Sequence, residues 1–311
     1  MKKDIRVLDC TLRDGGYVND WRFGEECISA VKGALEESGV DFIEMGLVQD
    51  VSYDTDRTIF DNLQRVHQMI DKWGGVRDDA RIYGVFIEMS NHYPQERLME
   101  RARGDIKVLR YSFWKRLMDE AIQYAKKISE KGYKVCLQPT RAEQYTEKEF
   151  AKMCCAMSEL KPYGLYIVDT FGLLHEEDVI RYAQIAHENL DPEVVLGYHA
   201  HDNMSQAFCN ACAFLEQNYD ERIIQIDGSI FGMGRGAGNL KLEQILEYLN
   251  RTHGKNYQLS PIYRVWDMYL SKFMQESPWR NDLAYFIAAK NRCNPNYASY
   301  YLRKNLGASE I

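Results

Sequence analysis

The chain has no long apolar run. Nowhere do about 18 apolar residues follow one another, which is the length that a membrane-spanning helix needs. The first ten residues, MKKDIRVLDC, lead straight into a strand-like pattern rather than into an apolar leader segment. We therefore expect a protein that does not bind membranes and that works in the cytoplasm.

Segregated charge is also missing. The 39 basic and 46 acidic residues are interspersed and give a formal net charge of −7, so the sequence predicts no basic surface of the kind that binds nucleic acid or anionic lipid. A hydrophobic fraction of 45% beside a charged fraction of 27% is that of an average globular protein. These features argue against nucleic-acid partners and against disorder, and no fixed-period repeat or low-complexity segment interrupts the chain.

Cysteine motifs are scarce. Among the eight cysteines, Cys209 and Cys212 form a CxxC pair in an alanine-rich helical stretch, without a second CxxC and without a histidine at zinc-finger spacing. Most of the other cysteines fall within apolar periodic segments, where free thiols behave as small hydrophobic side chains in a reducing compartment. We expect Cys209 and Cys212 to pack in the core rather than to bind zinc or to exchange disulfides.

What the sequence does contain is an eightfold alternation of short aliphatic or β-branched runs with longer segments of helical periodicity. Eight such units favour a closed parallel (β/α)8 TIM barrel over an open doubly wound sheet. The predicted strands are 5–9, 41–46, 81–87, 106–111, 133–138, 164–169, 194–199 and 223–227. The predicted helices lie near 23–38, 55–73, 94–101, 115–131, 146–160, 175–189, 204–218 and 240–251.

The alternation stops near Gly254, and the rest of the chain is rich in Tyr, Asn and Trp with helical segments. We therefore predict a TIM-barrel catalytic domain over residues 1–253. A C-terminal helical region over residues 254–311 is expected to lie over the barrel or to form an interface.

Polar side chains gather where the predicted strands end, which is the face of a TIM barrel that carries the chemistry. Asp227 ends the eighth strand. We expect a binding site at this face, with six candidate substrate contacts: Glu44, Arg110, Gln138, Thr140, Asp169 and Thr170.

His199 and His201, in the segment LGYHAHDN, give the clearest signal for a site. Residues two apart on a strand point to the same face and lie about 6.5 Å apart, so both imidazoles project into the barrel while Ala200 faces the helices. This arrangement suits two ligands of one metal ion. An isolated HxH also arises for structural reasons, and it is Asp14 at the end of the first strand that favours the metal site.

Two glycine-containing segments complete the pattern. In LDCTLRDGG, Arg13 and Asp14 directly follow the first strand, and the two glycines allow the backbone to turn tightly beside a bound group. In FGMGRGAGNLKLE, a glycine-rich loop after the eighth strand ends at Asn239, which on local grounds alone is a helix N-cap. A nucleotide-binding loop is excluded, because that fingerprint needs a βαβ unit continuing beyond it.

Taken in order, the motifs TLRDGG, HAHDN and GRGAGN resemble those of the DRE-TIM metallolyases. This family includes 4-hydroxy-2-oxovalerate aldolase, HMG-CoA lyase, the isopropylmalate and homocitrate synthases and the carboxyltransferase domain of pyruvate carboxylase. The resemblance covers about residues 5–250. It is closest to 4-hydroxy-2-oxovalerate aldolase and related aldolase-domain proteins, which the segment AYFIAAKNRCNPNYASYYL also resembles.

The resemblance implies a divalent metal held by Asp14, His199 and His201, with Asn239 as a further ligand or close neighbour. It also implies that Arg13 steadies an enolate. A mixed set of oxygen and nitrogen ligands suits Mn2+, Mg2+, Co2+ or Zn2+, and Mn2+ is our expectation.

The same resemblance implies catalytic roles for two tyrosines. Tyr297 lies where the oxovalerate aldolases keep a tyrosine that protonates the pyruvate enolate. Tyr17 stands where those enzymes carry a histidine that acts as the base. A phenol with an ordinary pKa of about 10 needs a strong downward shift to be a base at neutral pH. Tyr17 is thus a candidate catalytic residue, and the identity of the base stays open.

Elementary chemistry supports a metal. Breaking a carbon–carbon bond β to a carbonyl leaves an enolate, which an enzyme holds either as a lysine imine or against a metal ion. The sixth predicted strand, GLYIVD, carries no lysine, whereas carboxylate and imidazole groups converge at the strand ends. The metal route is therefore favoured.

Three functions stay open at this point. The first is aldol cleavage or condensation of a 4-hydroxy-2-oxo acid, with pyruvate as the enolate half. The second is an acyl-CoA-dependent Claisen condensation of the isopropylmalate or homocitrate synthase type. The third is a non-catalytic or partner-bound subunit, since the aldolase branch often works with a dehydrogenase that takes its aldehyde. We expect a small 2-oxo acid as substrate, and a homodimer and a partner dehydrogenase as the associations to test.

Overall fold

The computed structural model describes residues 4–75, 81–91, 93–102 and 106–304. Its strands are β1 (Ile5–Asp9), β2 (Phe42–Val48), β3 (Ile59–Phe60), β4 (Ile82–Glu88), β5 (Val108–Phe113), β6 (Lys134–Pro139), β7 (Gly164–Asp169), β8 (Val195–Ala200) and β9 (Ile224–Gly228). All but β3 form a parallel ring in the order β1-β9-β8-β7-β6-β5-β4-β2, which the pairing of β2 with β1 closes. The predicted TIM barrel is confirmed, and the eight predicted strands agree with these bounds to within two residues.

Helices alternate with the strands around the outside of the barrel. They are α1 (Gly16–Asn19), α2 (Glu25–Ser38), α3 (Leu63–Lys72), α4 (Met118–Glu130), α5 (Glu147–Ser158), α6 (Glu176–Asn189), α7 (Ala207–Glu216) and α8 (Leu242–His253). Local capping defines several starts. Thr146, for example, precedes α5 and forms a capping box with Glu149.

Two helix predictions need correction. Segment 94–101 forms a single 3-10 turn, Gln95–Arg97, instead of an α-helix. Only Leu98 in this segment is buried, so tertiary packing offers little to stabilise such a short helix. The helix predicted from residue 55 begins only at Leu63, where the Asn62 side chain accepts a hydrogen bond from the Arg65 backbone N–H at 3.0 Å.

The barrel interior holds an apolar layer below its mouth. Leu8, Phe42, Val108 and Tyr166 are buried together there. Gly197 faces this layer, because a Cβ atom at this position would lie 2.4 Å from the Tyr166 ring. Strand side chains alternate in direction, so residues two further along each strand lie one layer nearer the mouth.

Beyond α8, the chain continues as α9 (Ser260–Val265), a π-helical segment (Trp266–Leu270), α10 (Ser271–Glu276), α11 (Leu283–Lys290) and α12 (Pro295–Arg303). Helix α9 contacts α2 on the barrel surface. Ala284 and Tyr285 of α11 and Ala298 of α12 cluster with Ala237 of the glycine-rich loop. The C-terminal helices therefore support the loop that carries one of the motifs. The proposed division at residue 254 stays a prediction, and residues 1–3 and 305–311 lie outside the described ranges.

The CxxC pair does not lie in the core. Cys209 is exposed and Cys212 is half-buried on α7, so the packing role expected for Cys209 is wrong. Four other cysteines, Cys10, Cys27, Cys136 and Cys154, are buried as free thiols. Within the described ranges, no helix combines the length and the apolar character that crossing a membrane would take.

Candidate active site

A cavity of about 780 Å³ opens at the carboxyl ends of the barrel strands. Strand ends meet at this face because all eight strands are parallel. Among the residues singled out from the sequence, those that line the cavity are Arg13, Asp14, Tyr17, Gln138, Thr140, Thr170, His199 and His201.

Asp14, His199 and His201 come together on one side of this cavity. One ligand atom from each of them lies within 4.8 Å of the others, and all three residues are buried. The Nε2 atom of His201 lies 3.9 Å from Oδ2 of Asp14, which is too far for a hydrogen bond. The three side chains therefore surround a common point without bonding to one another in pairs.

Asn239 lies behind this group. Its Nδ2 donates to Oδ2 of Asp14 at 2.8 Å and to the Met233 carbonyl at 3.0 Å. Its Oδ1 is buried without a hydrogen-bond partner among the described residues. Gly234 makes room for this arrangement, because a Cβ atom there would lie 2.3 Å from Nδ2 of Asn239 and 2.9 Å from Oδ2 of Asp14.

Asn203, the last residue of HAHDN, holds the glycine-rich loop against the barrel. Its Oδ1 accepts from the Ala237 backbone N–H at 2.8 Å, and its Nδ2 donates to the Phe171 carbonyl at 2.9 Å. His201 and Asn239 also form an antiparallel bridge. The loop that carries Asn239 is thus fixed to the strand end that carries the histidines. Sequence reasoning did not single out Asn203 as part of the site.

Arg13 connects Asp14 to the barrel interior. Its Nη1 donates to Oδ1 of Asp14 at 2.5 Å, and its Nε donates to Oε2 of Glu44 at 2.8 Å. Its Cζ lies 4.3 Å from the centre of the Phe86 ring. These contacts orient the guanidinium group and still leave N–H groups for a bound oxygen, because arginine has five.

Glu44, Arg110 and Asp227 continue this chain of charges beneath the cavity. Nη1 of Arg110 lies 2.9 Å from Oε1 of Glu44, and Nη2 of Arg110 donates to Oδ2 of Asp227. Oδ2 of Asp227 in turn lies 3.1 Å from Nδ1 of His199. A ring of paired groups therefore runs from Asp14 to His199. Its three carboxylates exceed its two guanidinium groups by one negative charge.

The protonation states follow from these contacts. Burial alone would raise the pKa of Asp227, but the charge of Arg110 and the contact with His199 outweigh it and hold this pKa below its ordinary value. Burial likewise opposes ionisation of Asp14, and Arg13 and the two histidines keep its pKa low all the same. Burial lowers the pKa of His201 to about 3, against the opposing charge of Asp14. The group therefore presents a carboxylate and a neutral imidazole.

Tyr17 does not provide the low-pKa phenol that a base would need. Burial, followed by the charge of Glu88, raises its pKa well above the ordinary value. Its hydroxyl donates to Oε1 of Glu88, which also lines the cavity. The Cζ atom of Arg235 lies 5.4 Å from the centre of the Tyr17 ring. Sequence reasoning missed both Glu88 and Arg235. Their only signals were a strand-end position and a place in the glycine-rich motif.

Three predicted substrate contacts lie away from the cavity wall. Glu44 and Arg110 are fully buried in the ring beneath it, where they pair with charged neighbours. Asp169 accepts hydrogen bonds from the Leu173 and Leu174 backbone N–H groups at 2.9 and 3.1 Å. Because these carboxylate and guanidinium groups contact protein partners, a direct substrate contact by these three residues stays a prediction.

Tyr297 is not brought to the cavity either. It lies on α12 with 64% of its surface exposed and is not among the cavity-lining residues. Asn294, the N-cap of the same helix, does line the cavity. The proton-donor role of Tyr297 therefore stays a prediction without support from this arrangement.

Comparison with known proteins gives one family. The HMGL-like family model matches residues 107–268, more than half of the chain. The chain is 24% identical to the 4-hydroxy-2-oxovalerate aldolase of Bacillus thuringiensis (strain Al Hakam) over 271 residues, which cover 86% of this chain and 75% of that protein. It is also 24% identical to the oxaloacetate decarboxylase of Mycobacterium tuberculosis over 280 residues, covering 88% of this chain and 77% of that protein.

Solved structures share the fold. The N-terminal domain of a proposed aldolase from Bacteroides vulgatus superposes with a TM-score of 0.80 at 23% identity, covering 96% of both chains. At this identity, the likeness extends to the fold alone.

Proposed function

Because this chain belongs to the HMGL-like family, we propose that it is a divalent-metal-dependent lyase that cleaves 4-hydroxy-2-oxo acids into pyruvate and an aldehyde, or joins them in reverse. The names of its relatives support this class, since both describe cleavage of a carbon–carbon bond in a 2-oxo acid. One observation carries the proposal: Asp14, His199 and His201 converge beside Arg13 at the wall of one cavity.

The residues fit a divalent cation. Two ligands at about 2.0–2.2 Å from an ion lie roughly 3–4 Å apart, in keeping with the 3.9 Å between His201 and Asp14. Oδ1 of Asn239 is a further buried oxygen, and it has no hydrogen-bond partner among the described residues. We propose Asp14, His199 and His201 as the ligands, with Asn239 as a fourth ligand or a neighbour. We propose Mn2+ as the ion, and Mg2+, Co2+ and Zn2+ are the alternatives. When bound, the ion would draw negative charge from the 2-oxo group and so favour enolate formation.

Two arginines would bind the oxygens of the 2-oxo acid. Arg13 lines the cavity and has N–H groups beyond those that contact Asp14 and Glu44. We assign these N–H groups as donors to the oxygen that gains negative charge as the enolate forms. Arg235 is half-buried, and its Nε has no hydrogen-bond partner among the residues that the structure describes. A buried donor without a partner is costly, and the carboxylate of the 2-oxo acid would supply one.

Glu88 is the group that we assign as the base. Aldol cleavage requires removal of the proton from the C4 hydroxyl, after which the C3–C4 bond breaks and its electron pair forms the enolate. Tyr17 holds Glu88 by donating its own proton to Oε1, so a carboxylate stands at the cavity wall where the phenol alone could not serve. The proton passes from the C4 hydroxyl to Glu88, either directly or through the Tyr17 hydroxyl. The enolate then takes a proton from solvent at C3 to give pyruvate, and Glu88 releases the proton of the C4 hydroxyl to solvent.

The other cavity residues predicted from the sequence have polar side chains near this chemistry. We propose that Gln138, Thr140 and Thr170 contact the substrate, since all three line the cavity. A homodimer and a partner dehydrogenase stay predictions.

A coupled assay tests the proposed function. Purified protein with added Mn2+ is given 4-hydroxy-2-oxovalerate, and pyruvate release is followed. In parallel, acetyl-CoA and 2-oxo acids are supplied and free thiol is measured. Pyruvate release without thiol release is the expected result. Thiol release alone would favour the Claisen condensation, and no turnover in either assay would favour a non-catalytic subunit.

A further inference from the structure

The cavity is also lined by residues that follow strands other than those of the metal-ligand group. Strands β5 and β6 lie across the ring from β9 and β1, as the strand order requires. The loops that follow them bring Lys115, Arg116 and Arg141 to the wall of the same cavity. We call these three residues the distal basic wall.

Basic side chains outnumber carboxylates among the residues that line this cavity. Its other charged lining residues are Arg13 with Asp14, already paired to each other, and Arg235 near the Tyr17–Glu88 pair. The distal basic wall adds three positive charges and no lining carboxylate. If the 2-oxo acid group binds beside the metal ligands, the distal basic wall would contact the opposite end of the substrate.

Arg141 of this wall contacts neighbouring residues through both its guanidinium group and its backbone. The Cζ atom of Arg141 lies 4.5 Å from the centre of the Phe171 ring, and its Nε donates to Oε1 of Glu143 at 2.7 Å. Arg141 also adopts a left-handed backbone conformation (φ 59°), and its backbone N–H donates to Oγ1 of Thr170 at 2.8 Å.

The β5 loop supplies the other two cations. Nζ of Lys115 donates to the Gln144 carbonyl at 2.9 Å and lies 2.7 Å from Oε2 of Glu149. The Cζ atom of Arg116 stacks 4.3 Å from the centre of the Trp114 ring. Arg116 has no carboxylate partner within the described part of the chain, so its charge is the least compensated of the three.

We propose that the distal basic wall selects 4-hydroxy-2-oxo acids whose aldehyde portion ends in an anionic group, a carboxylate or a phosphate. This inference rests on the proposed function and names its substrate class. Arginine binds both anions through paired N–H donors, and Arg116 and Arg141 project such donors from neighbouring loops. A neutral alkyl chain could not accept hydrogen bonds from these guanidinium groups.

The test compares three 4-hydroxy-2-oxo acids of similar length, ending in a methyl group, a carboxylate or a phosphate. The parent protein with added Mn2+ is expected to show a higher kcat/KM for one of the anionic substrates than for the methyl-terminated one. The terminal group that gives the higher kcat/KM, carboxylate or phosphate, is the one that the distal basic wall selects. Arg116→Gln and Arg141→Gln are each expected to reduce that ratio roughly tenfold, as loss of a charged hydrogen bond does. Lys126→Gln, on the exposed face of α4, is the matched control and should leave the ratio unchanged.

Two outcomes are decisive against the inference. Equal kcat/KM values for all three substrates in the parent protein would overturn it, and so would an unchanged ratio in a folded Arg116→Gln protein. Arg116 is exposed, so this variant should fold even if Arg141→Gln does not. Failure to cleave any of the three acids, together with no exchange of the pyruvate methyl protons, would instead overturn the proposed function itself.

Discussion

Asp227 holds His199 in a single tautomer. Oδ2 of Asp227 lies 3.1 Å from Nδ1 of His199, and the lowered pKa of Asp227 means that it accepts rather than donates. Nδ1 of His199 therefore carries the proton, and Nε2 is left free for a metal ion. A carboxylate behind a histidine ligand serves metal sites in this way generally.

Asp227→Asn should weaken metal binding about 10–100-fold, because the carboxylate that fixes the tautomer and orients the ring is lost. Titration of metal-free protein with Mn2+ measures the effect. Asp191→Asn, at the opposite end of β8 on an exposed turn, is the control. Equal affinity in the two variants would show that Asp227 only pairs with Arg110 and has no influence on the metal site.

Arg13→Lys should reduce turnover on the order of a hundredfold, the effect of removing one preorganised donor. A lysine keeps the charge but cannot contact Asp14 and Glu44 from a planar group at the same time. Steady-state kinetics and melting temperature are measured together. A large drop in melting temperature with turnover preserved would assign Arg13 to structure instead of catalysis.

Glu88→Gln should slow aldol cleavage about a hundredfold or more, since a base typically contributes this much. Tyr17→Phe should have a smaller effect, because Glu88 can still take the C4 hydroxyl proton directly. Cleavage of 4-hydroxy-2-oxovalerate is compared with exchange of the pyruvate methyl protons. Exchange does not involve the C4 hydroxyl, so it should fall less than cleavage in Glu88→Gln. Cleavage at the parent rate in this variant would remove Glu88 from the role of base.

The sequence was sufficient for the barrel and for part of the site. Eight periodic units predicted the strands to within two residues, and the period-two spacing of His199 and His201 placed both on one face. These features depend on local patterns. Tertiary packing decided the rest: segment 94–101 lacks the buried apolar side chains that would make it helical.

Long-range pairs were the part that the sequence could not reveal. The ring from Asp14 to His199 passes through Glu44 and Arg110, which look like substrate contacts when only their strand-end positions are known. Their burial and mutual pairing depend on strands far apart in the chain. The same holds for Tyr17 and Glu88, which are 71 positions apart. No local pattern connects residues at that separation.

Tyr297→Phe tests the proton-donor role predicted from the sequence. Because Tyr297 is 64% exposed and does not line the cavity, we expect this variant to exchange the pyruvate methyl protons at the parent rate. Tyr300→Phe, on the same helix with 52% exposure, is the control. A selective slowing in Tyr297→Phe, at unchanged metal content and melting temperature, would restore Tyr297 as the acid and require α12 to close over the cavity.

Metal-dependent exchange of the pyruvate methyl protons in D2O, followed by proton NMR, tests the central claim most directly. Exchange should stop when a chelator removes the metal ion from the protein, and it should return when Mn2+ is added back. It should not return in His201→Ala, whereas His253→Ala, a histidine outside the cavity that lies 3.2 Å from Glu216, should behave as the parent does. Equal exchange before and after stripping, or equal recovery in the two histidine variants, would contradict a metal site at Asp14, His199 and His201.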